Sequence, residues 1–255
     1  MKIPADLSDL IRDLKTQLPE ILGRNLVGIY LYGSVTNTSF NPKRSDVDCL
    51  VVTQRDLTNA QFGKLKHWLE GSVKTNLWTS RLQMLFVIKS KLLTMNARAS
   101  LYQFGVLKRT GWDGNPIVWL DYLRSGKILL GPSPQTFLPE ITREIFLDAL
   151  KRELNYLREE ISENPESEWR DVPMYRAYAV VTVCRILYSL NKNDIASKPT
   201  AAKWALKNLP KRWHGIIGQA LDFNESRREK GIRVKQIAAF ISFAEGRVRS
   251  GSQSP

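Results

Sequence analysis

The first half of the chain alternates between continuous apolar runs and segments with helical periodicity. Apolar residues recur every three or four positions over residues 5–18, and residues 58–70 also have a helical pattern. The runs at 26–32, 47–53 and 81–89 predict strands, because they are short and rich in β-branched and aromatic residues. This order of elements predicts a small mixed sheet with helices packed on it.

The second half of the chain has helical periodicity throughout. Ser197 is suited to cap a helix that has Pro199 in its first turn, and this helix should stop before Pro210. The other segments with apolar residues at helical spacing are 141–163, 174–191, 212–222 and 232–248. Together these segments predict a bundle of about five helices.

The change of periodicity predicts two domains and an α+β fold. A mixed-sheet domain should occupy residues 1–140, and a helical bundle should occupy residues 141–250. The stretch 111–135 is rich in glycine and proline, which predicts a hinge there. The last residues, 251–255, read Gly-Ser-Gln-Ser-Pro and are expected to form a disordered tail.

The composition is that of a soluble globular protein, with 43% apolar and 25% charged residues. No run of 18 apolar residues occurs, so we expect no membrane span. The first residues lack the apolar core of an export signal, which favours the cytoplasm. Cys49 and Cys184 both lie inside apolar runs and are expected to be buried free thiols.

The net charge of +13 is unevenly distributed. Residues 71–112 contain seven Lys and Arg side chains and no Asp or Glu. One interpretation is a solvated basic face. The other is a surface for an anionic ligand such as a phosphate or a nucleic acid.

The most informative motif is Gly33-Ser34 followed, after ten residues, by Ser45-Asp46-Val47-Asp48. Residues two apart on a strand point to the same face, so Asp46 and Asp48 should lie side by side. Two carboxylates suit Mg²⁺, which completes its coordination with water and phosphate. Gly33 has no side chain and lets the backbone approach a phosphate, while Ser34 adds a hydroxyl donor. The motif therefore predicts a metal-assisted site for a nucleoside triphosphate.

This motif resembles the DNA polymerase β-like nucleotidyltransferase superfamily. Two further segments, 184–189 (Cys-Arg-Ile-Leu-Tyr-Ser) and 195–205 (Ile-Ala-Ser-Lys-Pro-Thr-Ala-Ala-Lys-Trp-Ala), resemble the C-terminal helical domain of the aminoglycoside adenylyltransferases that act on streptomycin and spectinomycin. The segment 130–132, Leu-Gly-Pro, is similar to that family's domain connection. The resemblance extends from Leu26 to about residue 220. It implies that ATP and Mg²⁺ bind between the two domains.

The resemblance also implies roles for individual residues of the sheet domain. Asp46 and Asp48 match the metal ligands of the family. Ser34 and Ser45 match residues that contact phosphates, although Ser45 could instead orient its own loop.

Two residues of the helical domain match family contacts to the triphosphate, Arg185 and Lys198. Arg185 lies in an apolar helix and could instead be paired internally with an acid such as Asp194. Lys198 lies just before a helix, where its charge opposes the helix dipole, and this favours a functional role.

The sequence departs from the family pattern at the third carboxylate. The family has a glutamate on the strand after the Asp pair, where it acts as general base, but Gln83 occupies that position. A glutamine cannot accept the proton and is a poorer metal ligand. The acceptor contacts also differ, because the family's tryptophan falls at Leu107 and its acidic residues fall in the region 175–178. A site of this kind should repel a polycation.

Three functions are compatible with these residues. The first is an adenylyltransferase, a monomer that moves AMP from ATP to a hydroxyl of a small-molecule acceptor. The second is a nucleotide-binding or regulatory protein without the catalytic base. The third is a transferase or binding protein directed to a nucleic acid, which the basic stretch suggests.

Overall fold

The computed structural model of the chain describes residues 4–43, 45–94, 99–110, 115–223 and 231–251. The chain divides into two compact units, Met1–Ile141 and Thr142–Pro255. Every described strand lies in the first unit, and the described part of the second unit is helical. The predicted α+β fold class is therefore confirmed.

The first unit is built on a mixed sheet of six strands. All neighbouring strands are antiparallel except β2 and β3, which are parallel. The spatial order is β5-β4-β3-β2-β1-β6. The strands are β1 (Leu26–Tyr32), β2 (Val47–Thr53), β3 (Leu82–Ile88), β4 (Ala99–Gln103), β5 (Val106–Thr110) and β6 (Lys127–Leu130).

In the described part of the first unit, four α-helices accompany the sheet. They are α1 (Ala5–Leu22), α2 (Asn59–Thr75), the short α3 (Leu77–Ser80) and α4 (Pro116–Ser125). α1 buries a stripe of five leucines spaced three or four residues apart, as an amphipathic helix on a core should. α2 begins with a capping box, in which the side chains of Thr58 and Gln61 each accept a hydrogen bond from the other's backbone amide.

The sheet is covered on both faces, so its central strands are apolar on both sides. Cys49 and Val51 of β2 belong to one core cluster, together with the leucine stripe of α1. Leu50 and Val52 belong to a second cluster, together with Trp119 of α4. This two-sided burial explains why β2 reads as a continuous apolar run.

The stretch 111–135 was predicted to be a hinge, and this prediction is wrong. Within it, Pro116 starts α4, and Gly126 and Gly131 flank β6, which pairs with β1 at one edge of the sheet. The glycines and prolines therefore mark the ends of short elements within the first unit. Residues 111–114 lie outside the described residues.

The second unit is formed by helices around a central one. They are α5 (Arg143–Arg158), the short α6 (Glu168–Asp171), α7 (Pro173–Lys192), α8 (Lys198–Asn208), α9 (His214–Leu221) and α10 (Val234–Gly251). α5 continues into a π-helical turn, Glu159–Glu163. α7 packs against all five of the others, which explains its nearly continuous apolar sequence. Most of the predicted tail lies outside the described residues.

The two cysteines are free and buried, as predicted. Burial raises the pKa of each thiol to about 12, so neither is a reactive thiolate at neutral pH. Among the helices that the structure describes, none is long and apolar enough to cross a membrane.

Gly131 is required by the packing of β6 on β1. Its φ is +94°, and a Cβ atom added there would lie 2.4 Å from the Val27 carbonyl oxygen. Gly105 has a similar φ of +76° but open space around it. We expect Gly105→Ala to cost about 1–2 kcal/mol from backbone conformation alone, and Gly131→Ala to cost clearly more because it adds the clash. Urea unfolding of both variants measures the difference. Equal losses would show that the close approach to Val27 does not matter.

Candidate active site

The predicted Asp pair lies at the N-terminal end of β2, a central strand of the sheet. β2 starts at Val47, so Asp48 is inside the strand and Asp46 precedes it. In the parallel register of β2 and β3, Asp48 is aligned with Gln83. Aligned residues on neighbouring strands point to the same face, so Asp48 and Gln83 are side by side.

Gln83 also reaches the first carboxylate of the pair. Its Nε2 atom donates a hydrogen bond to Oδ2 of Asp46 over 3.2 Å. Gln83 is therefore next to both aspartates. It is aligned with Asp48 across the strands, and its side chain is hydrogen-bonded to Asp46. The amide restrains Asp46 but brings no negative charge, in contrast to a glutamate at the same position.

Gly33 makes room for Asp48. Gly33 has a φ of +71°, and a Cβ atom added there would lie 2.2 Å from Oδ2 of Asp48. The sequence suggested that this glycine leaves space for a phosphate. The structure adds a second reason, because the carboxylate of Asp48 already occupies the position that a side chain would take.

The turn after Gly33 is held by its own side chains. Residues Gly33–Thr36 form a 3-10 turn that contains the half-buried Ser34. The Gly33 carbonyl accepts hydrogen bonds from Oγ1 of Thr36 and Nδ2 of Asn37, both over 2.8 Å. Ser34 is thus carried by an ordered turn next to the Asp48 carboxylate.

Ser45 is engaged within its own loop. Its hydroxyl accepts a hydrogen bond from the Asn41 amide over 2.9 Å, and its own amide donates to the Asn41 carbonyl over 2.8 Å. These two contacts support the interpretation that Ser45 orients the loop leading to Asp46. A lone pair of the hydroxyl remains for a further contact.

Arg185 lies on α7 of the second unit. Its Nε atom donates to the Ala196 carbonyl over 3.0 Å. Burial raises the pKa of Glu153 on α5, and the positive charge of Arg185 opposes this rise. Glu153 is therefore an internal acidic neighbour of Arg185 that the sequence did not indicate. The acid considered from sequence, Asp194, accepts the amide of Ile195 over 2.8 Å.

Lys198 is the first residue of α8 in the same unit. Its ammonium lies 4.4 Å from the centroid of the Tyr178 ring, a cation–π distance. Tyr178 also packs edge-on against Trp169, with ring centroids 5.6 Å apart. Trp169 contacts Tyr175 at the same distance, so the region 175–178 is part of an aromatic cluster. The sequence did not single out Trp169.

Leu107 lies at the family's tryptophan position, and it is buried in the core of the first unit. Only 8% of it is exposed, and it belongs to the cluster that also contains Met84 and Tyr102. Residues Asp48 and Gln83 flank the opposite cluster, since Leu50 and Leu85 follow them by two positions on that face. Leu107 is therefore a packing residue.

Several cations of the basic stretch make structural contacts. Arg109 pairs with Asp56 over 3.5 Å and lies over the Phe62 ring, and Lys89 lies over the Phe137 ring. These contacts are distributed over different elements of the first unit. Arg109 and Lys89 are therefore engaged in contacts within the first unit, and Arg98 lies outside the described residues.

The donor set fits Mg²⁺. In the part of the chain that the structure describes, no three His, Cys, Asp or Glu side chains come together as a metal site. The acidic ligands available are thus Asp46 and Asp48. Mg²⁺ commonly takes one or two carboxylates and fills its octahedron with water and phosphate oxygens, so the pair is sufficient.

Two protein-family models match the chain. Residues 10–97 match a nucleotidyltransferase domain, and residues 136–246 match the C-terminal domain of aminoglycoside adenylyltransferase. The two matches together span most of the chain and follow the order of the sheet and helical units. The chain therefore resembles the aminoglycoside adenylyltransferases in both units, with a nucleotidyltransferase-domain match in the first and a match to their C-terminal domain in the second.

Individual relatives agree with these matches. The chain is 24% identical over 225 residues to a spectinomycin 9-adenylyltransferase of Staphylococcus aureus, covering 82% of this chain and 80% of the relative. It is 23% identical over 266 residues to an aminoglycoside (3'') (9) adenylyltransferase of Escherichia coli, covering 94% and 96%. The fold matches a crystal structure of a spectinomycin adenyltransferase from Enterococcus faecialis, determined with ATP and spectinomycin. The two structures superimpose with a TM-score of 0.69 at 18% sequence identity, and the match covers 95% of this chain and 99% of the other.

The contact between Gly33 and Asp48 predicts a loss of metal binding in Gly33→Ala. The added Cβ would displace the Asp48 carboxylate, so affinity for Mn²⁺, used as a probe for Mg²⁺, should fall about 10-fold or more. Gly105→Ala is the matched control, because it has similar backbone strain away from the aspartates. Mn²⁺ titration followed by electron paramagnetic resonance gives both affinities. An unchanged affinity in Gly33→Ala would contradict the prediction.

Proposed function

We propose that this chain transfers AMP from ATP to a hydroxyl of a small-molecule acceptor, with Asp46 and Asp48 holding Mg²⁺. The observation that carries the proposal is the arrangement of Asp46, Asp48 and Gln83 at the start of β2 and β3, next to the turn at Gly33. The matches to the two family models support the reaction class. The acceptors named for the relatives, spectinomycin and aminoglycosides, belong to those proteins.

The residues divide the work of the reaction as follows. Mg²⁺ on Asp46 and Asp48 would neutralise charge on the phosphates, which is the main requirement of such transfers. Gly33 and Ser34 offer backbone amides and a hydroxyl to phosphate oxygens. Ser45 keeps its loop in place and can donate its hydroxyl proton to a phosphate oxygen.

Arg185 and Lys198 are assigned to the triphosphate. Both are cations held at defined positions, Arg185 by the Ala196 carbonyl and Lys198 by the Tyr178 ring. A held cation loses less side-chain entropy when it binds an anion. The guanidinium of Arg185 has further N–H groups that can point to phosphate oxygens.

The chemical step joins the acceptor oxygen to the α-phosphorus and breaks the bond to pyrophosphate. The acceptor proton has to leave, and Gln83 cannot accept it. We infer that the proton passes to water or to a basic group of the acceptor. Loss of a positioned base typically slows a reaction about 10²–10⁴-fold, so transfer should be slow but measurable.

One observation favours a second function, nucleotide binding without turnover. Gln83 is aligned with Asp48 in the parallel register, which is the place where a third carboxylate would complete the site. A chain that binds Mg²⁺ and ATP there without releasing pyrophosphate would act as a nucleotide-responsive protein. The same assay distinguishes the two functions, since only the transferase releases pyrophosphate in an acceptor-dependent way.

The acceptor also has to match the charge of the protein. The net charge of +13 disfavours a polycationic acceptor. Leu107 is buried and so cannot contact an acceptor. The region 175–178 carries aromatic rings in place of the acidic side chains that would attract a cation. We infer an acceptor that is neutral or anionic and carries at least one hydroxyl.

The aspartate pair gives the test of this function. Mg²⁺ and ATP together, at 100 times their dissociation constant, should stabilise the wild-type fold by about 2.7 kcal/mol. Asp46→Asn combined with Asp48→Asn should remove both this stabilisation and pyrophosphate release. Asp148→Asn on α5 is the control, because it removes one exposed aspartate charge and a surface ion pair with Arg152 without touching Asp46 or Asp48. A thermal shift that persists in the double variant would refute the assignment of the metal site.

Gln83→Glu should restore the third carboxylate. Without metal, the new charge faces Asp46 and Asp48, so the melting temperature in EDTA should fall below that of the wild type. With Mg²⁺ the order should reverse, because a third anion strengthens metal binding. Pyrophosphate release with an acceptor that already binds should rise by about 10²-fold. Gln17→Glu on α1 serves as the control. If Gln83→Glu behaves like Gln17→Glu in all three measurements, Gln83 takes no part in the reaction.

A further inference from the structure

Arg81 lies between α3 and β3, and its guanidinium is directed at the loop that leads to Asp46. Nη1 donates a hydrogen bond to the Pro42 carbonyl over 2.7 Å, and Nη2 donates to the Ser45 carbonyl. Both acceptors are backbone oxygens, and both precede Asp46 in the chain. The side chain therefore binds the loop in the manner of a clamp with two N–H groups.

Aromatic residues hold the guanidinium in place. The Arg81 Cζ atom lies 4.3 Å from the ring centroid of Trp78. Trp78 is stacked on Phe40, with centroids 5.8 Å apart, and both rings are buried. Phe40 comes directly before the loop that Arg81 binds. The stack of Phe40 on Trp78 therefore links the start of this loop to the ring on which the guanidinium lies. A guanidinium on an aromatic face gains roughly 0.5–2 kcal/mol and loses freedom of orientation.

The backbone of Arg81 holds the other side of Asp46. The Val47 amide donates to the Arg81 carbonyl over 3.0 Å. Both neighbours of Asp46 in the chain are therefore held by Arg81. Its side chain binds the carbonyl of Ser45, and its main-chain carbonyl binds the amide of Val47. Because β2 begins only at Val47, the strand ladder does not fix Asp46, and these contacts do so together with Gln83.

We propose that Arg81 is a positioning residue for metal binding, acting on Asp46 through the carbonyl oxygens of Pro42 and Ser45. The proposal rests on the metal site assigned under the proposed function. It depends on the fork geometry of the guanidinium. A lysine at this position would keep the positive charge but could not span the two carbonyl oxygens with a planar pair of donors.

Two variants separate geometry from charge. Arg81→Ala removes both, and Arg81→Lys removes the fork while retaining the charge and most of the stem over Trp78. Lys74→Ala, an exposed cation of the same basic stretch, is the control for a change in net charge. The main readout is Mn²⁺ affinity in the presence of ATP, measured by electron paramagnetic resonance. The second readout is amide hydrogen exchange at Ser45 and Val47, which requires no bound metal.

Arg81→Ala should weaken Mn²⁺ binding by about 10–100-fold, the usual effect of removing an outer-shell partner. Arg81→Lys should lose most of the same affinity, and Lys74→Ala should lose none. Amide exchange at Ser45 and Val47 should be faster in both Arg81 variants. Guanidinium ion at concentrations below those that unfold the protein should restore part of the Mn²⁺ affinity of Arg81→Ala.

The proposal is overturned if Arg81→Lys binds Mn²⁺ like the wild type, because charge would then be sufficient. It is also overturned if amide exchange in both variants equals that of Lys74→Ala. A wild-type protein that does not bind Mn²⁺ with ATP would refute the proposed function instead. If Arg81→Ala does not fold, Arg81→Lys and its exchange rates decide the question alone.

Discussion

The parallel pairing of β2 with β3 is the constraint on which the candidate site depends. It is the one parallel pair of the described sheet, and its register aligns Asp48 with Gln83. A slip of one residue would place Leu82 or Met84 beside Asp48 and turn Gln83 into the opposite core. The register is held because alternate residues of both strands are buried in two separate core clusters, one on each face of the sheet.

Around this pairing, the carboxylates are positioned by contacts that leave little freedom. Gly33 is backed by the Asp48 carboxylate, and Gln83 donates to Asp46. Arg81 holds the loop before Asp46 by its side chain and the residue after it by its carbonyl. Such restraint favours metal binding, because less conformational entropy is lost when the ion arrives. Because Gln83 carries no charge, Asp46 and Asp48 alone would neutralise a metal ion bound there.

The long elements of the fold were predictable because their signals are local. The bounds of β1 and β2 coincide with the predicted ones, and α1, α2 and β3 differ only at their ends. The segments β4, β5, β6 and α4 were not predicted. They are short, and β5 and β6 form the edges of the sheet. β6 pairs with β1, which lies far earlier in the chain, so no local window contains its partner. β4 and β5 are five residues each, too short for a clear periodic pattern. Glycines and prolines at their ends then resembled a linker.

The candidate site divides in the same way. The sequence by itself determined the candidate metal ligands, Asp46 and Asp48 after a glycine-serine turn, because that pattern depends on residue identity and spacing. The resemblance to the family added the expectation that Gln83 stands in the place of a carboxylate. Only the tertiary structure decided that Gln83 bonds to Asp46 and that Arg81, which in sequence was one of seven cations, binds the loop before it. The physical reason is strand pairing, since it brings together residues more than 30 positions apart and no local pattern encodes which side chains will meet.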